Sequence, residues 1–157
     1  MEYFHCPKCK TKIKSNTNFC YKCGFELRKI SELIMKGDLF FAQDKHPDAI
    51  DCFDQIIKIN SNNAHAWYGK GKVLLTQAKN SEDVEFCVKC QLCPILSETF
   101  YEDAIKCFNK AIEINPEFKE AWLEKGVALD RLGKSLEAKN CFSVAKELKM
   151  NQFLSNK

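Results

Sequence analysis

The chain has 157 residues, of which 45% are hydrophobic and 29% charged, and its formal net charge is +3. These values suit a small soluble protein with one core and an appendage. They exclude a membrane span: no run approaches the roughly 18 apolar residues a transmembrane helix needs, and the chain reaches Cys6 without a secretory apolar segment. A cytoplasmic location follows, and with it a reduced state for most of the ten cysteines.

Residues 1–29 come first. Cys6-Pro7-Lys8-Cys9 and Cys20-Tyr21-Lys22-Cys23 are two Cys-x2-Cys turns separated by ten residues. Each turn can present two thiolates, and two such turns complete the tetrahedron that zinc prefers in a closed structural site. One zinc on Cys6, Cys9, Cys20 and Cys23 is therefore the preferred reading, with rubredoxin-like iron or two disulfides as alternatives. Tyr3, Phe4, Ile13, Phe19, Phe25 and Leu27 are too few to stabilise so short a segment, whereas zinc contributes about 10–16 kcal/mol apparent at neutral pH. The segment carries seven basic side chains against Glu2 and Glu26, a balance of +5, while the remainder of the chain is at −2. Screening of a four-thiolate site by neighbouring lysines is the preferred explanation; phosphate contact, with Phe19 or Tyr21 stacking on bases, is the alternative. Residues 1–27 resemble a short zinc ribbon.

From Ile30 a 34-residue period takes over. Ala66-Trp67-Tyr68-Gly69-Lys70-Gly71-Lys72-Val73-Leu74 recurs as Ala121-Trp122-Leu123-Glu124-Lys125-Gly126-Val127-Ala128-Leu129, 55 residues later, which is one unit plus an insertion of 21. Ala49-x3-Phe53, Ala104-x3-Phe108 and Ala138-x3-Phe142 occupy one position of the unit, giving repeats at 30–63, 64–118 and 119–152 and a tail at 153–157. Each repeat reads as two helices, as in Trp122, Gly126, Leu129 and Leu132 followed by Ala138, Phe142, Ala145 and Leu148. Gly126 is expected to face Ala138 for close backbone approach. Asn60-Ser61-Asn62-Asn63 and Asn115-Pro116-Glu117 are helix stops. Cys52, Cys107 and Cys141 each precede the repeat's Phe, a position that suits partly buried packing rather than chemistry.

With Trp67, Gly71, Leu74, Ala104, Phe108, Ala111 and Pro116 at the signature positions of repeat two, residues 30–152 resemble the tetratricopeptide repeat (TPR) family. Repeat three has Met150 at the proline position, and repeat one departs further, with Leu33, Ile56 and Ser61 for Trp, Ala and Pro. The resemblance implies an all-α, TPR-type solenoid of three helix pairs, preceded here by the small ribbon. It also implies a concave groove lined by Ser31, Ile34, Asp38 and Phe41, by His65, Tyr68, Lys72 and Leu75, and by Glu120, Leu123, Val127 and Asp130. In repeats that clamp the carboxylate of heat-shock chaperone tails the cationic and amide positions fall on Ile34, Asp38, Gly69, Glu120 and Glu124. Carboxylates there repel such a tail.

The insertion near 78–98 holds Cys87-Val88-Lys89-Cys90-Gln91-Leu92-Cys93-Pro94. Ser81 before Glu82 and Asp83 reads as an N-cap and Pro94 as a stop, so a short helix over Glu82 to Cys93 is expected. Thiols packed as apolar filler beside Val84, Phe86, Leu92 and Ile95 are the preferred reading. The alternatives are a second zinc on Cys87, Cys90 and Cys93 with His46, which sits in the equivalent turn of repeat one, and an iron–sulfur cluster, although the fourth Cys of that family's run is missing.

Nothing points to catalysis: there is no glycine-rich phosphate loop, no nucleophile elbow and no His-x3-His, and His5, His46 and His65 are scattered. The chain is read as a protein interaction adaptor that binds a peptide or helix in the groove, with the zinc ribbon as a second docking module. The alternative is a nucleic-acid-associated factor whose ribbon contacts the backbone while the repeats recruit a protein.

Overall fold

The structure is a computed structural model that describes residues 3–6, 8–14, 19–25, 28–82 and 92–155. It divides into two compact units, Met1–Asn63 and Ala64–Lys157.

In the first unit β1 (Tyr3–His5) pairs antiparallel with β2 (Lys12–Lys14), with Phe4 opposite Ile13. Ile13 points inward, Lys12 and Lys14 outward. Its small core joins Ile13 to Cys6 and Cys20, with Cys9, Cys23 and Phe25 packed against it, so the sulfurs are themselves most of the interior. Then follow α1 (Arg28–Ala42) and α2 (His46–Ile59), which opens with Pro47 in its first turn, where the absent N–H costs nothing. Ala49, Cys52, Phe53 and Ile56 form the buried face of α2.

The second unit holds α3 (Ala64–Glu82), α4 (Leu92–Ile114), α5 (Lys119–Arg131) and α6 (Ser135–Ser155). Helices α3 and α4 pack as one antiparallel pair, α5 and α6 as another, with α4 against α5. Ala66, Val73, Leu75, Ala78, Tyr101, Ala104, Phe108 and Ala111 make the interior of the first pair; Ala121, Ala128, Leu129, Ala138, Cys141 and Ala145 make that of the second. Cys52, Cys107 and Cys141 are buried in their respective helices.

The repeat register shows itself at the glycines. A Cβ built on Gly37, Gly71 or Gly126 would lie 3.0, 2.6 or 2.6 Å from a ring atom of Phe53, Phe108 or Phe142. In each repeat the glycine on the first helix leaves room for the phenylalanine ring of the second. Gly126 therefore accommodates the Phe142 ring rather than Ala138, which packs with Leu129 and Cys141 instead. The inter-helix turns of repeats one and three also match. Asp44 (φ 56) and Gly133 (φ 73) both adopt the left-handed conformation, and the next residue's N–H bonds back to Phe40 O or Leu129 O at 2.9 Å.

The insertion departs from expectation. Arg131, the last residue of α5, corresponds to Thr76, yet α3 continues from Gln77 to Glu82. Ser135, the first residue of α6, corresponds to Tyr101, yet α4 begins at Leu92. Ser81 caps nothing, since it lies inside α3 and its hydroxyl donates to Gln77 O at 2.8 Å. Pro94 does not stop a helix; it occupies the first turn of α4, where proline is tolerated. Both flanking helices are thus longer than the repeat requires, and the expected helix over Glu82 to Cys93 falls on a stretch of which 83–91 lie outside the described residues.

Candidate functional site

Two matching turns build the cysteine centre. In the first, Cys6 N–H donates to Thr11 O at 2.9 Å and Lys10 N–H to Cys6 O at 2.9 Å; in the second, Cys20 N–H donates to Phe25 O at 2.9 Å and Gly24 N–H to Cys20 O at 2.8 Å. The residue after the second cysteine is left-handed in both, Lys10 at φ 58 and Gly24 at φ 68. Glycine takes that conformation freely, whereas the lysine Cβ makes it costly, so the first turn is held by its surroundings.

These turns bring the four Sγ atoms within 4.8 Å of one another. Cys6 and Cys23 approach to 3.5 Å, as do Cys9 and Cys20, each contact joining one turn to the other. All four are free thiols. A tetrahedral metal with bonds of about 2.3 Å places its sulfurs about 3.8 Å apart, so the donor set and spacing fit one ion. Four close thiols cannot all ionise without it. Thr11 Oγ1, 3.2 Å from Cys9 Sγ, and the Thr11 backbone favour the Cys9 thiolate and lower its pKa to about 6. The backbone N–H of Phe25 favours ionisation of Cys23 too, but burial and the other three sulfurs outweigh it and push that pKa up to about 12. A bound cation would cancel this repulsion and displace the protons. Among the described residues no other group of three or more ligating side chains converges in this way.

A second candidate surface lies on α3 and α5 of the second unit. The Tyr68 ring sits 4.8 Å from that of Phe118 and 6.1 Å from that of Phe108, and His65 lies 5.0 Å from Phe118. Lys72 Nζ is 5.8 Å from the Tyr68 ring. His65, Glu120, Leu123 and Asp130 are exposed, and Tyr68, Lys72, Glu124 and Val127 half-buried. Burial, then Glu124 and Glu120, push the Tyr68 phenol up to about 12. Lys119 Nζ lies 3.1 Å from Glu120, and that contact with backbone N–H hydrogen bonding outweighs burial and keeps the Glu120 carboxyl below its ordinary range. Leu75 differs from its neighbours in being 2% exposed, inside the core rather than on the face. In the first unit Ile34 and Phe41 are half-buried on α1 and Asp38 is exposed.

Several features escape a reading of residues alone. Phe118, the platform under Tyr68 and His65, stands where repeat one has Asn63 and repeat three Gln152, so periodicity carries no sign of it. Thr11 lies outside both Cys-x2-Cys motifs. Of the insertion's thiols, Cys87 and Cys90 lie outside the described residues, as does the Cys93 side chain. His46, in the first unit, has a buried Nε2 with no hydrogen-bond partner among the described residues.

Family models described as TPR repeat and tetratricopeptide repeat match residues 37–77 and 107–140. The chain carries tetratricopeptide repeats. Its repeats form an α-solenoid of helix pairs. The chain is 51% identical over 41 residues to an uncharacterized protein of Methanocaldococcus jannaschii, covering 26% of this chain and 48% of that one. It is 27% identical over 111 residues to Protein STIP1 homolog of Dictyostelium discoideum, covering 71% of this chain and 16% of that one. It therefore spans less than half the length of these curated relatives. Among solved structures, the TPR2B domain in complex with pHsp70 from yeast Sti1 matches with a TM-score of 0.63 at 19% identity, over 79% of this chain and 82% of that one. The second TPR of Spaghetti (RPAP3), bound to HSP90 peptide SRMEEVD, matches with a TM-score of 0.61 at 24% identity, over 77% and 87%. At these identities the likeness is one of fold. No described helix is long and apolar enough to cross a membrane.

Proposed function

We propose that this TPR chain is a non-enzymatic, cytoplasmic adaptor in which the α3–α5 face holds a peptide or helix of a partner protein, while residues 1–29 form a zinc ribbon that serves as a second docking module. The repeats occupy 30–152 in this reading, and 153–157 are a tail. Zinc is supported by four free thiols within 4.8 Å of one another in a chain of the sort that keeps its cysteines reduced. When bound, the ion supplies folding free energy, and Cys6, Cys9, Cys20 and Cys23 would be its ligands.

The observation that carries the peptide reading is the half-buried Tyr68 on the Phe118 platform, with Glu120 and Glu124 near enough to act on its phenol and Leu123 exposed on α5. Aromatic and aliphatic anchors inside a polar rim are what peptide grooves use. The carboxylates determine the ligand's sign. The HSP90 peptide held by the second TPR of RPAP3 ends in acidic residues, and such a tail would meet Glu120 and Glu124 here. The groove therefore selects apolar segments with basic flanks and rejects acid-terminated tails.

The test is selection from a peptide library on the immobilised full chain, followed by calorimetry with a selected peptide and with SRMEEVD. The selected peptide should lose about fivefold or more in affinity with each of Tyr68→Ala and Leu123→Ala, the scale of an anchor residue. Unchanged affinity in both moves binding off this face. Micromolar binding of SRMEEVD overturns the charge argument.

A further inference from the structure

Lysines account for charge screening at the cysteine centre, but the two large aromatic side chains beside it have no such role. Phe19 and Tyr21 flank Cys20, which is buried, yet they are 55% and 78% exposed. Phe19 leads into the buried Cys20, and Tyr21 opens the turn that Gly24 N–H closes on Cys20 O at 2.8 Å. A module of this size needs every apolar side chain for its core, and Ile13 and Phe25 are so used. Two outward rings represent apolar area left without cover. Lys22 adjoins Tyr21 at the tip of the second turn, and Lys8 holds the same place in the first, each the third residue of a Cys-x-Lys-Cys turn. Both are exposed, as is Lys10. The two turns that carry these lysines converge on the same four sulfurs.

We infer that this module binds single-stranded nucleic acid, with bases stacking on Phe19 and Tyr21 and phosphates contacted by Lys8, Lys10 and Lys22. Aromatic planes interleaved with cations are what strand tracking requires, since every base offers a π face and every nucleotide a charge. Single strands are specified over duplex because stacked base pairs do not expose their faces, and among its described residues the module has no helix to enter a major groove. The inference is independent of the groove on α3 and α5, so either can fail alone.

The test uses the full chain, prepared with zinc and checked for metal content, with fluorescence anisotropy of labelled oligo(dT), oligo(rU) and a mixed-sequence duplex, each of about 15 nucleotides. Both single strands should bind more tightly than the duplex at low salt, and the better of the two assigns DNA or RNA. Log affinity should fall against log salt with a slope of about −2, from three lysines at about −0.7 each. Phe19→Ser and Tyr21→Ser should each weaken binding about tenfold at unchanged metal content, while Phe19→Tyr and Tyr21→Phe retain it. Lys8→Ser with Lys22→Ser should flatten the slope by about 1.4 without touching the rings. If a serine variant loses metal, the lysine pair and the aromatic exchanges decide by themselves. Equal affinity for duplex, binding that survives loss of both rings, or no binding to any probe at low salt overturns the inference and returns the lysines to charge screening.

Discussion

Gly71→Ala and Gly126→Ala are the same substitution at the same repeat position, and they should not cost the same. Each introduced Cβ would lie 2.6 Å from Cε1 of the facing phenylalanine, about an ångström inside ordinary contact. Alanine also gains roughly 1 kcal/mol of helix propensity over glycine at either site. The difference lies in whether the ring can retreat. Phe108 is 0% exposed and closed in by its neighbours, whereas Phe142 is 38% exposed and can swing outward by the roughly 1 Å that contact distance requires. Overpacking in a closed core costs typically 1–3 kcal/mol, so Gly71→Ala, whose ring has no room to retreat, should destabilise by up to about 2 kcal/mol after the propensity gain is subtracted. Gly126→Ala should fall within about 0.5 kcal/mol of neutral, with either sign. Urea unfolding of the full chain, followed by helical circular dichroism, reads both as midpoint shifts at constant slope. Equal losses in the two variants, or a stabilised Gly71→Ala, would refute the premise that ring mobility sets the cost.

Metal removal should separate the two parts of the chain. Chelation is expected to abolish the ordered signals of residues 1–29, with the helical ellipticity of the repeats largely retained; backbone amide spectra with and without zinc check this, since about 10–16 kcal/mol of binding free energy leaves with the ion. At high pH, Tyr68 adds a pH dependence of known sign. Its folded pKa of about 12 exceeds the ordinary 10.0, so the neutral phenol favours the fold; its contribution is complete below pH 10 and is lost as pH rises towards 12. Tyrosinate absorbance should show a late-titrating component that diminishes in Tyr68→Phe, and that variant's stability should fall less steeply over the same window.

Much of the fold is written in the sequence because its determinants recur. Glycine and phenylalanine at fixed offsets mark three helix pairs, and the paired cysteines mark the centre, since neither pattern has another common use at that spacing. Where a residue serves two local structures equally, the reading goes astray. A serine hydroxyl accepts from an N-cap's amides or donates to the carbonyl one turn back, and Ser81 does the latter. A proline ends one helix or opens the next, and Pro94 opens α4. Leu75 falls on the groove position by register, but at 2% exposure it lies in the core of the second unit. Gly126 and Ala138 are both small and lie on facing helices, yet the glycine leaves space for a ring one turn further on. The Phe118 platform depends on a residue that neither other repeat shares, and only tertiary packing reveals it.

The elongation of α3 and α4 shows where a helix-pair chain can lengthen without disturbance. At 1.5 Å per residue, the stretch from Gln77 to Glu82 carries α3 about 9 Å past the point where α5 ends, and 92–100 lengthen α4 by about 14 Å. The Gly71–Phe108 contact and the spacing to repeat three are untouched by this growth, because residues added at the tip of an antiparallel pair shift nothing at its base. Closing the longer connection costs only a logarithm of its length, while new helical turns bring their own hydrogen bonds and burials such as Ala78. Hairpin tips are thus the inexpensive direction of growth in this architecture. A cysteine-bearing segment could be acquired there with the repeat register intact.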